Sequence, residues 1–362
     1  MKELIFHIGT PKTGTSALQV FLAKNRQNLL KNSVDYLPIG EIALGAAGKV
    51  SSGNGALLSR SVLPAAAPAR IPNGERYVSE CLEAVRNSDA ELGIISSELF
   101  VYADRQALSA ITAELRKMGI VPRCFYYIRS QVQCLASVYM QQVKRHGCTE
   151  QPADYVARTY KQIPFLRHHS FYLGQCESFG TPNVICRTYD AAIEANKGLF
   201  HAMLNALSIS SEGLDFGIND VNTSMSTREL GIMLILNRFR PRMRFSDAVI
   251  ENAAQIGSAA SGQIHNILPH PLVQEIEQYF ARENSEIARD YFHREELFAA
   301  VPLQGEHQSA SVENLSMADL IAFFGGLLVR YDDRLTALEG RLAKLNAAAP
   351  ISGSGAVNEN RG

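Results

Sequence analysis

The chain has 362 residues, and 46% of them are hydrophobic, which is enough for a sizeable core in one large domain or two ordinary ones. Its net charge of −1 at pH 7 gives no bulk attraction toward nucleic acid, so we expect no nucleic-acid partner. Its six cysteines lack paired short spacings, so we predict neither a metal site nor a disulfide framework. The basic run of Arg238, Arg240, Arg242 and Arg244 is either a solvated face or a contact for an acidic ligand.

The N-terminal residues predict a strand, a loop and a helix. Residues 4–8 form an apolar run typical of a buried parallel strand, and residues 16–31 are amphipathic. The chain begins this strand without a basic and apolar leader, and no apolar run reaches 18 residues. We therefore expect a cytoplasmic protein without a transmembrane segment.

The loop between strand and helix has the features of an anion site. It reads Gly-Thr-Pro-Lys-Thr-Gly-Thr-Ser-Ala over residues 9–17, with glycines at the spacing of a phosphate-binding loop. The backbone N–H groups of residues 12–16 and the helix N-terminus would bind a phosphate there. Nucleotide hydrolases place a lysine after the second glycine, but Thr15 holds that position and Lys12 lies inside the loop. The alternative is a glycine-containing turn without a ligand.

Residues 41–76 are rich in Ala, Gly, Ser and Pro and show little periodicity, so we expect a long loop beside the site. Such a loop is either a lid over a substrate or a passive surface insertion.

Three further strands are predicted, and each ends in polar residues. Because ligands bind at the carboxyl ends of strands in α/β sheets, these residues are site candidates. Strand 92–98 ends in Glu98, which would be a general base if burial raised its pKa, or else an ion-pair partner of Lys12 or Arg129 or a helix cap. Strand 124–128 leads to Arg129, and a helix over residues 132–144 follows.

Two more residues complete the set of candidates. Ser137 lies on the helix after Arg129, and together a guanidinium and a hydroxyl can hold a phosphate. Taken alone, the two would be a surface ion-pair former and a solvent-facing helix residue. Strand 183–190 carries Tyr189, whose ring would contact a nucleotide base or lie in the core.

Residues 11–16 resemble the 5′-phosphosulfate loop of bacterial sulfotransferases that use 3′-phosphoadenosine-5′-phosphosulfate (PAPS). The eight-residue spacing of Arg129 and Ser137 is similar to the 3′-phosphate motif of that family, and the resemblance covers about residues 3–298. It implies a central parallel sheet flanked by helices, with Tyr189 near the adenine. It also implies that the donor's phosphosulfate is held by Lys12, Thr13, Gly14, Thr15 and Ser16.

The resemblance further implies transfer of a sulfuryl group to a hydroxyl or amine of a saccharide, glycolipid or small metabolite, without a metal. Lys12 would stabilise the leaving phosphate. Glu98 would be the base at the position where the cytosolic branch of the family has a histidine, and His146 is the alternative base. The rival functions are a nucleotide kinase or triphosphatase built on the same loop, and a non-catalytic nucleotide-binding scaffold.

We expect a catalytic domain over residues 1–300, with helices over 224–298 interrupted at Pro241, Pro269 and Pro271. Residues 315–346 predict a helix with apolar residues at alternating spacings of three and four. That helix either joins subunits as a coiled coil, giving a homo-oligomer, or folds back on its own domain. Residues 347–362 are predicted to be disordered. The apolar positions are Ile321, Phe324, Leu328, Tyr331, Leu335, Leu338, Leu342 and Leu345.

Overall fold

The structure is a computed structural model that describes residues 1–40, 42–47, 52–217, 227–239, 249, 267–298 and 317–348. Within these residues the protein is an α/β fold in which helices flank one five-stranded sheet, and all the strands are parallel. This confirms the predicted fold class. The strands, in the spatial order β2-β3-β1-β4-β5, are β1 (Glu3–Ile8), β2 (Val34–Tyr36), β3 (Leu92–Ser97), β4 (Val121–Ile128) and β5 (Val184–Thr188).

Fourteen α-helices are described alongside these strands. The first seven are α1 (Thr15–Lys24), α2 (Arg26–Lys31), α3 (Ile42–Ala46), α4 (Ala56–Ser61), α5 (Glu75–Asn87), α6 (Arg105–Lys117) and α7 (Gln131–His146). The others are α8 (Pro152–Thr159), α9 (His168–Phe179), α10 (Tyr189–Asn196), α11 (Leu199–Ala206), α12 (Thr227–Phe239), α13 (His270–Ile287) and α14 (Met317–Ala348).

The sheet separates two hydrophobic clusters, because alternate residues of a strand point to opposite faces. In β1, Phe6 belongs to the larger cluster and Ile5 to the smaller one, and in β4 Tyr126 and Phe125 divide in the same way. Helices α6, α7, α9 and α13 cover the larger cluster, whereas α1, α2 and α11 cover the smaller one. The predicted buried strands therefore have helices on both faces.

The centre of the sheet is a topological switch point. Strand β1 pairs with β3 on one side and with β4 on the other. The helix after β1, α1, lies on the smaller cluster, while the helix after β4, α7, lies on the larger one. The chain thus passes to opposite faces of the sheet after β1 and after β4, which opens a crevice at the carboxyl ends of these two strands. Such crevices are where α/β sheets bind ligands.

Several predicted boundaries are corrected. The helix predicted over residues 16–31 is two helices, because Asn25 interrupts it and bonds to the backbone of Asp215. Strand β3 ends at Ser97, so Glu98 begins a short 3₁₀-helix, Glu98–Tyr102. Strand β5 ends at Thr188, and Tyr189 begins α10.

Strand β2 was missed, because three residues are too few to show a period and Asp35 lies among them. The Asp35 carboxylate is buried and pairs with Arg26 at 2.9 Å, so the strand buries a charge with its partner.

The prediction of a long loop over residues 41–76 was wrong at its helical parts, whereas residues 62–74 form a loop without helix or strand. Helices α3 and α4 lie within it, and Asn54 fixes it to the sheet. The buried Asn54 amide donates to the carbonyls of Leu37 and Ile94 at 3.0 Å each and accepts from the Ser96 N–H at 2.8 Å. The chain around Asn54 is therefore a fixed layer against β3, and a lid remains a hypothesis for residues 62–74 only.

Helix α14 extends to Ala348, two residues into the tail predicted to be disordered, and the rest of that tail lies outside the described residues. Also outside the described residues are Pro241, the side chain of Leu345, and Arg240, Arg242 and Arg244 of the basic run. Arg238 is exposed near the end of α12. Across the described helices, none combines the length and apolar character needed to cross a membrane.

Candidate active site

The loop after β1 has two residues with a positive φ. Lys12 has φ 69° and Gly14 has φ 73°, both in the left-handed region. Gly14 is the N-cap of α1, and a side chain there would lie 2.3 Å from Leu199 Cδ2 and 3.4 Å from the Tyr189 hydroxyl. A non-glycine residue keeps φ near +70° only at a cost, so the fold holds Lys12 in an unfavourable conformation at the predicted anion site.

The threonine hydroxyls hold this loop together. Thr13 donates to the Thr10 carbonyl at 2.7 Å, and Thr15 donates to the same oxygen at 3.5 Å. Thr10 in turn donates to the carbonyl of Tyr127 on β4. Thr13 and Thr15 were predicted to bind phosphate, but in this structure their hydroxyls are buried and stabilise the turn.

The groups of the loop that suit an anion are backbone amides. The first intrahelical bond of α1 runs from the Leu18 N–H to the Gly14 carbonyl at 3.1 Å. The N–H groups of Thr15, Ser16 and Ala17 precede it, at the positive end of the helix dipole. Ser16 is half-buried there.

Arg129 joins the loop to β4. It follows the last residue of the strand, and its guanidinium donates to the Lys12 carbonyl at 3.3 Å and to Gln133 Oε1 at 3.2 Å. It also lies 3.4 Å from Asp190 and over the ring of Tyr189, 5.1 Å from the centroid. The two motifs singled out in the sequence therefore meet at the switch point.

Ser137 and Tyr189 lie around this arginine in different ways. Ser137 is half-buried on α7, one turn after Gln133, so it lies on the same helix face as the glutamine that Arg129 contacts. Tyr189 lies between Arg129 and Gly14 and packs edge-on against Tyr127. Its partners thus include the arginine, the loop and the smaller hydrophobic cluster, and a contact with adenine stays a prediction.

Glu98 is placed by the capped turn after β3. The Ser97 hydroxyl accepts from the Leu99 N–H at 3.2 Å and caps the 3₁₀-helix, and the Ser59 hydroxyl lies 2.9 Å from that of Ser97. A side chain at Gly9 would come within 3.1 Å of Glu98 Cγ, so the glycine leaves the space that the glutamate occupies beside the loop.

Lys12 and Glu98 influence each other through space. Burial raises the pKa of Glu98 above its ordinary value, and the positive charge of Lys12 opposes part of that rise. Burial likewise lowers the pKa of Lys12, and the charge of Glu98 opposes part of that decrease. Both pKa values move toward neutrality, which suits an acid–base pair.

Cys134 and His168 belong to the site but were missed in the sequence. The Cys134 thiol donates to the Pro11 carbonyl at 3.6 Å, and burial raises its pKa to about 12, so it is a neutral thiol. His168 Nε2 lies 3.0 Å from the Arg129 carbonyl, and burial lowers its pKa to about 4, so the neutral ring donates to that oxygen. No periodicity or motif distinguishes either residue, because only the folded chain brings them to the end of β4.

A cavity of about 10 Å³, room for one water, lies between the loop and β4. It is lined by Thr10, Pro11, Arg129, Cys134 and His168, among others.

The outer side of the site carries aromatic residues. Tyr102 is 45% exposed and packs edge-on against Phe165. Tyr139, by contrast, belongs to the core and donates to the Glu150 carbonyl. The alternative base, His146, is exposed at the far end of α7 from Arg129.

Among the described residues no group of three or more His, Cys, Asp and Glu side chains could hold a metal ion. The six cysteines are free thiols.

No protein-family model matches the chain, and no curated protein matches it either. Among solved structures, the chain is similar to a sulfotransferase from Alicyclobacillus acidocaldarius, with 15% sequence identity. The match covers 69% of this chain and 96% of that one, with a TM-score of 0.39. At this TM-score the overlap does not establish a common fold.

Proposed function

We propose that the protein is a PAPS-dependent sulfotransferase that transfers a sulfuryl group to a hydroxyl or amine of a saccharide, glycolipid or small metabolite. The observation that carries the proposal is the contact between Arg129 and the Lys12 carbonyl. It brings a forked cation, suited to the donor's 3′-phosphate, against a loop suited to its 5′-phosphosulfate.

In the proposed reaction, Glu98 removes the proton of the acceptor hydroxyl or amine. The acceptor atom then bonds to sulfur while the bond from sulfur to the donor's phosphate oxygen breaks. Lys12 and the N–H groups at the start of α1 stabilise the charge that develops on the departing phosphate, much as phosphoryl-transfer loops do. The raised pKa of Glu98 suits a group that must accept a proton near neutral pH.

The kinase or triphosphatase alternative has less support. In those enzymes a lysine follows the second glycine of the loop and contacts the β- and γ-phosphates. Here Thr15 holds that position, with its hydroxyl directed into the loop.

The test is calorimetric titration with 3′,5′-adenosine bisphosphate, with 5′-AMP, which lacks the 3′-phosphate, and with ATP. We expect the bisphosphate to bind most tightly. Arg129→Ala should remove about 1.5–3 kcal/mol, the worth of a charged hydrogen bond, and with it the preference for the bisphosphate over AMP.

The matched control is Arg123→Ala, because Arg123 lies on the same strand but pairs with Glu3 away from the site. Its titration should equal that of the native protein. Tighter binding of ATP than of the bisphosphate, with no gain from the 3′-phosphate, would replace this proposal with the kinase-like one. Binding without turnover of any acceptor would leave the non-catalytic scaffold.

A further inference from the structure

Helix α14 has two apolar stripes with different surroundings. Leu320, Phe323 and Leu327 form the first and pack into the main core, with Phe323 2% and Leu327 8% exposed. The second stripe, here called the outer seam, is 43% to 70% exposed along its length. It consists of Ile321, Phe324, Leu328, Tyr331, Leu335, Leu338 and Leu342.

Each stripe matches one of the two hypotheses drawn from the sequence, a helix folded back on its own domain and a coiled coil that joins subunits. The first stripe docks the start of α14 on its own domain, as a folded-back helix would. The outer seam, however, is not covered by the described residues of that domain, and it is too long and regular to be a set of scattered surface residues.

The outer seam has the geometry of a coiled-coil interface. Its residues alternate at spacings of three and four along one unbroken 32-residue helix, which is about 48 Å long. Ile321, Leu328, Leu335 and Leu342 occupy the a positions of the heptad, and the other seam residues occupy d. Gly325 and Gly340 lie at e and f, so they do not interrupt the apolar surface.

The charges beside the seam select the partner and its direction. Asp332 and Glu339 occupy e positions, whereas Arg334 and Arg341 occupy g positions, and all four are exposed. In a parallel pair each g residue faces the e residue of the next heptad, so Arg334 of one copy meets Glu339 of the other, twice by symmetry. An antiparallel pair would place acids against acids and arginines against arginines.

We propose that the outer seam is the interface of a parallel, in-register coiled coil between two copies of this chain. A self-complementary charge pattern is what a twofold interface requires, because the same surface serves both partners. In the docked stripe Phe323 occupies a c position, whereas Leu320 and Leu327 occupy g positions that border the seam. The twofold symmetry of the coil places the two domains on opposite sides of it.

The mass of the full chain in solution tests the association. We expect light scattering to give twice the 39.7 kDa of one chain at micromolar concentration. Leu335→Asp, which places a carboxylate in the seam, should give the mass of one chain, whereas the neighbouring Thr336→Asp, at an outer b position, should stay dimeric. A native protein with the mass of one chain, or a dimer that survives Leu335→Asp, would overturn the proposal.

Charge reversal tests the direction. Arg334→Glu should raise the dissociation constant of the dimer about tenfold, because two attractive pairs become repulsive. Adding Glu339→Arg to the same chain should return the dissociation constant to that of the native dimer. Tighter association of the single variant would mean an antiparallel pair and contradict the assignment, and so would failure of the double variant to recover. Neither position lies in the core, so an unchanged circular dichroism spectrum serves as the test of folding.

Discussion

Glu98 and Lys12 lie in an environment that moves both of their pKa values away from the ordinary ones. Both are ionisable groups held in a partly buried cleft, and burial is the largest cause of both pKa shifts. Their mutual attraction opposes each shift without reversing it. The site therefore holds a carboxylate at a cost in stability, which is common where a group is used in chemistry.

This cost predicts that Glu98→Gln stabilises the protein at neutral pH. The pKa of Glu98 is raised in the folded state, so folding is favoured below the unfolded-state pKa, and that advantage is lost as the pH rises through the folded-state pKa. Glutamine resembles the protonated form at every pH, so the variant should melt at a higher temperature than the native protein at pH 7 to 8.

The difference in melting temperature should shrink as the pH falls toward 4, where the native carboxyl also becomes neutral. The exposed Glu83→Gln is the control and should show no such trend. A lower melting temperature for Glu98→Gln at pH 7 would mean that the attraction to Lys12 outweighs the cost of burial.

At the scale of elements, the segment that contains α4 is built against β3. Gly53 has φ +85°, and a side chain there would lie 2.1 Å from the Ser96 carbonyl. Asn54, Tyr36 and Ser59 extend the same contact, since the Asn54 N–H donates to the Tyr36 hydroxyl at 3.0 Å and Ser59 bonds to Ser97. This layer supports the turn that positions Glu98.

Gly53→Ala should therefore destabilise the protein far more than Gly119→Ala. Both glycines have a positive φ, so each substitution has a conformational cost of about 1 kcal/mol. Gly119 has open space around it, whereas at Gly53 a backbone oxygen must also move, and we expect at least about 2 kcal/mol more.

Urea unfolding of the two variants measures the difference. Equal losses of stability would show that residues 52–61 move away from β3 at little cost. That result would return this stretch to the lid hypothesis, whereas a large difference would confirm a fixed layer.

On the scale of the whole molecule, α14 links the folded domain to the outer seam. The adjacent residues Phe323 and Phe324 lie on its two faces, with 2% and 43% of their surfaces exposed. Because they are the same residue type, one position apart, substituting each in turn distinguishes docking on the domain from association with a second copy.

In the monomeric Leu335→Asp background, Phe323→Ala should destabilise the protein by about 3 kcal/mol, as expected for a buried phenylalanine. Phe324→Ala should cost much less there, because 43% of the surface of Phe324 is already exposed in a single chain. In the otherwise native chain, Phe324→Ala should instead weaken the dimer. Equal effects of both variants on monomer stability, followed by thermal unfolding, would contradict the two-face description of α14.

Much of the architecture follows from local pattern. Four of the five strands were predicted, because runs such as residues 4–8 and 124–128 are apolar and end in polar residues. The loop over residues 9–17 could be proposed as an anion site because its glycine spacing and the position of Lys12 are properties of neighbouring residues. Strand β2 and the fixed layer around Asn54 were not predicted, because their stability comes from partners distant in the sequence.

The sequence by itself determined the α/β fold class and singled out the loop, Arg129 and Glu98 as candidates, because these depend on residue type and short spacing. The tertiary structure decided how those candidates meet. Arg129 reaches the Lys12 carbonyl across 117 positions of the chain, and Cys134 and His168 enter the site only through packing around β4. Burial sets the pKa directions of Glu98 and Lys12, and burial is a property of the folded chain rather than of any segment.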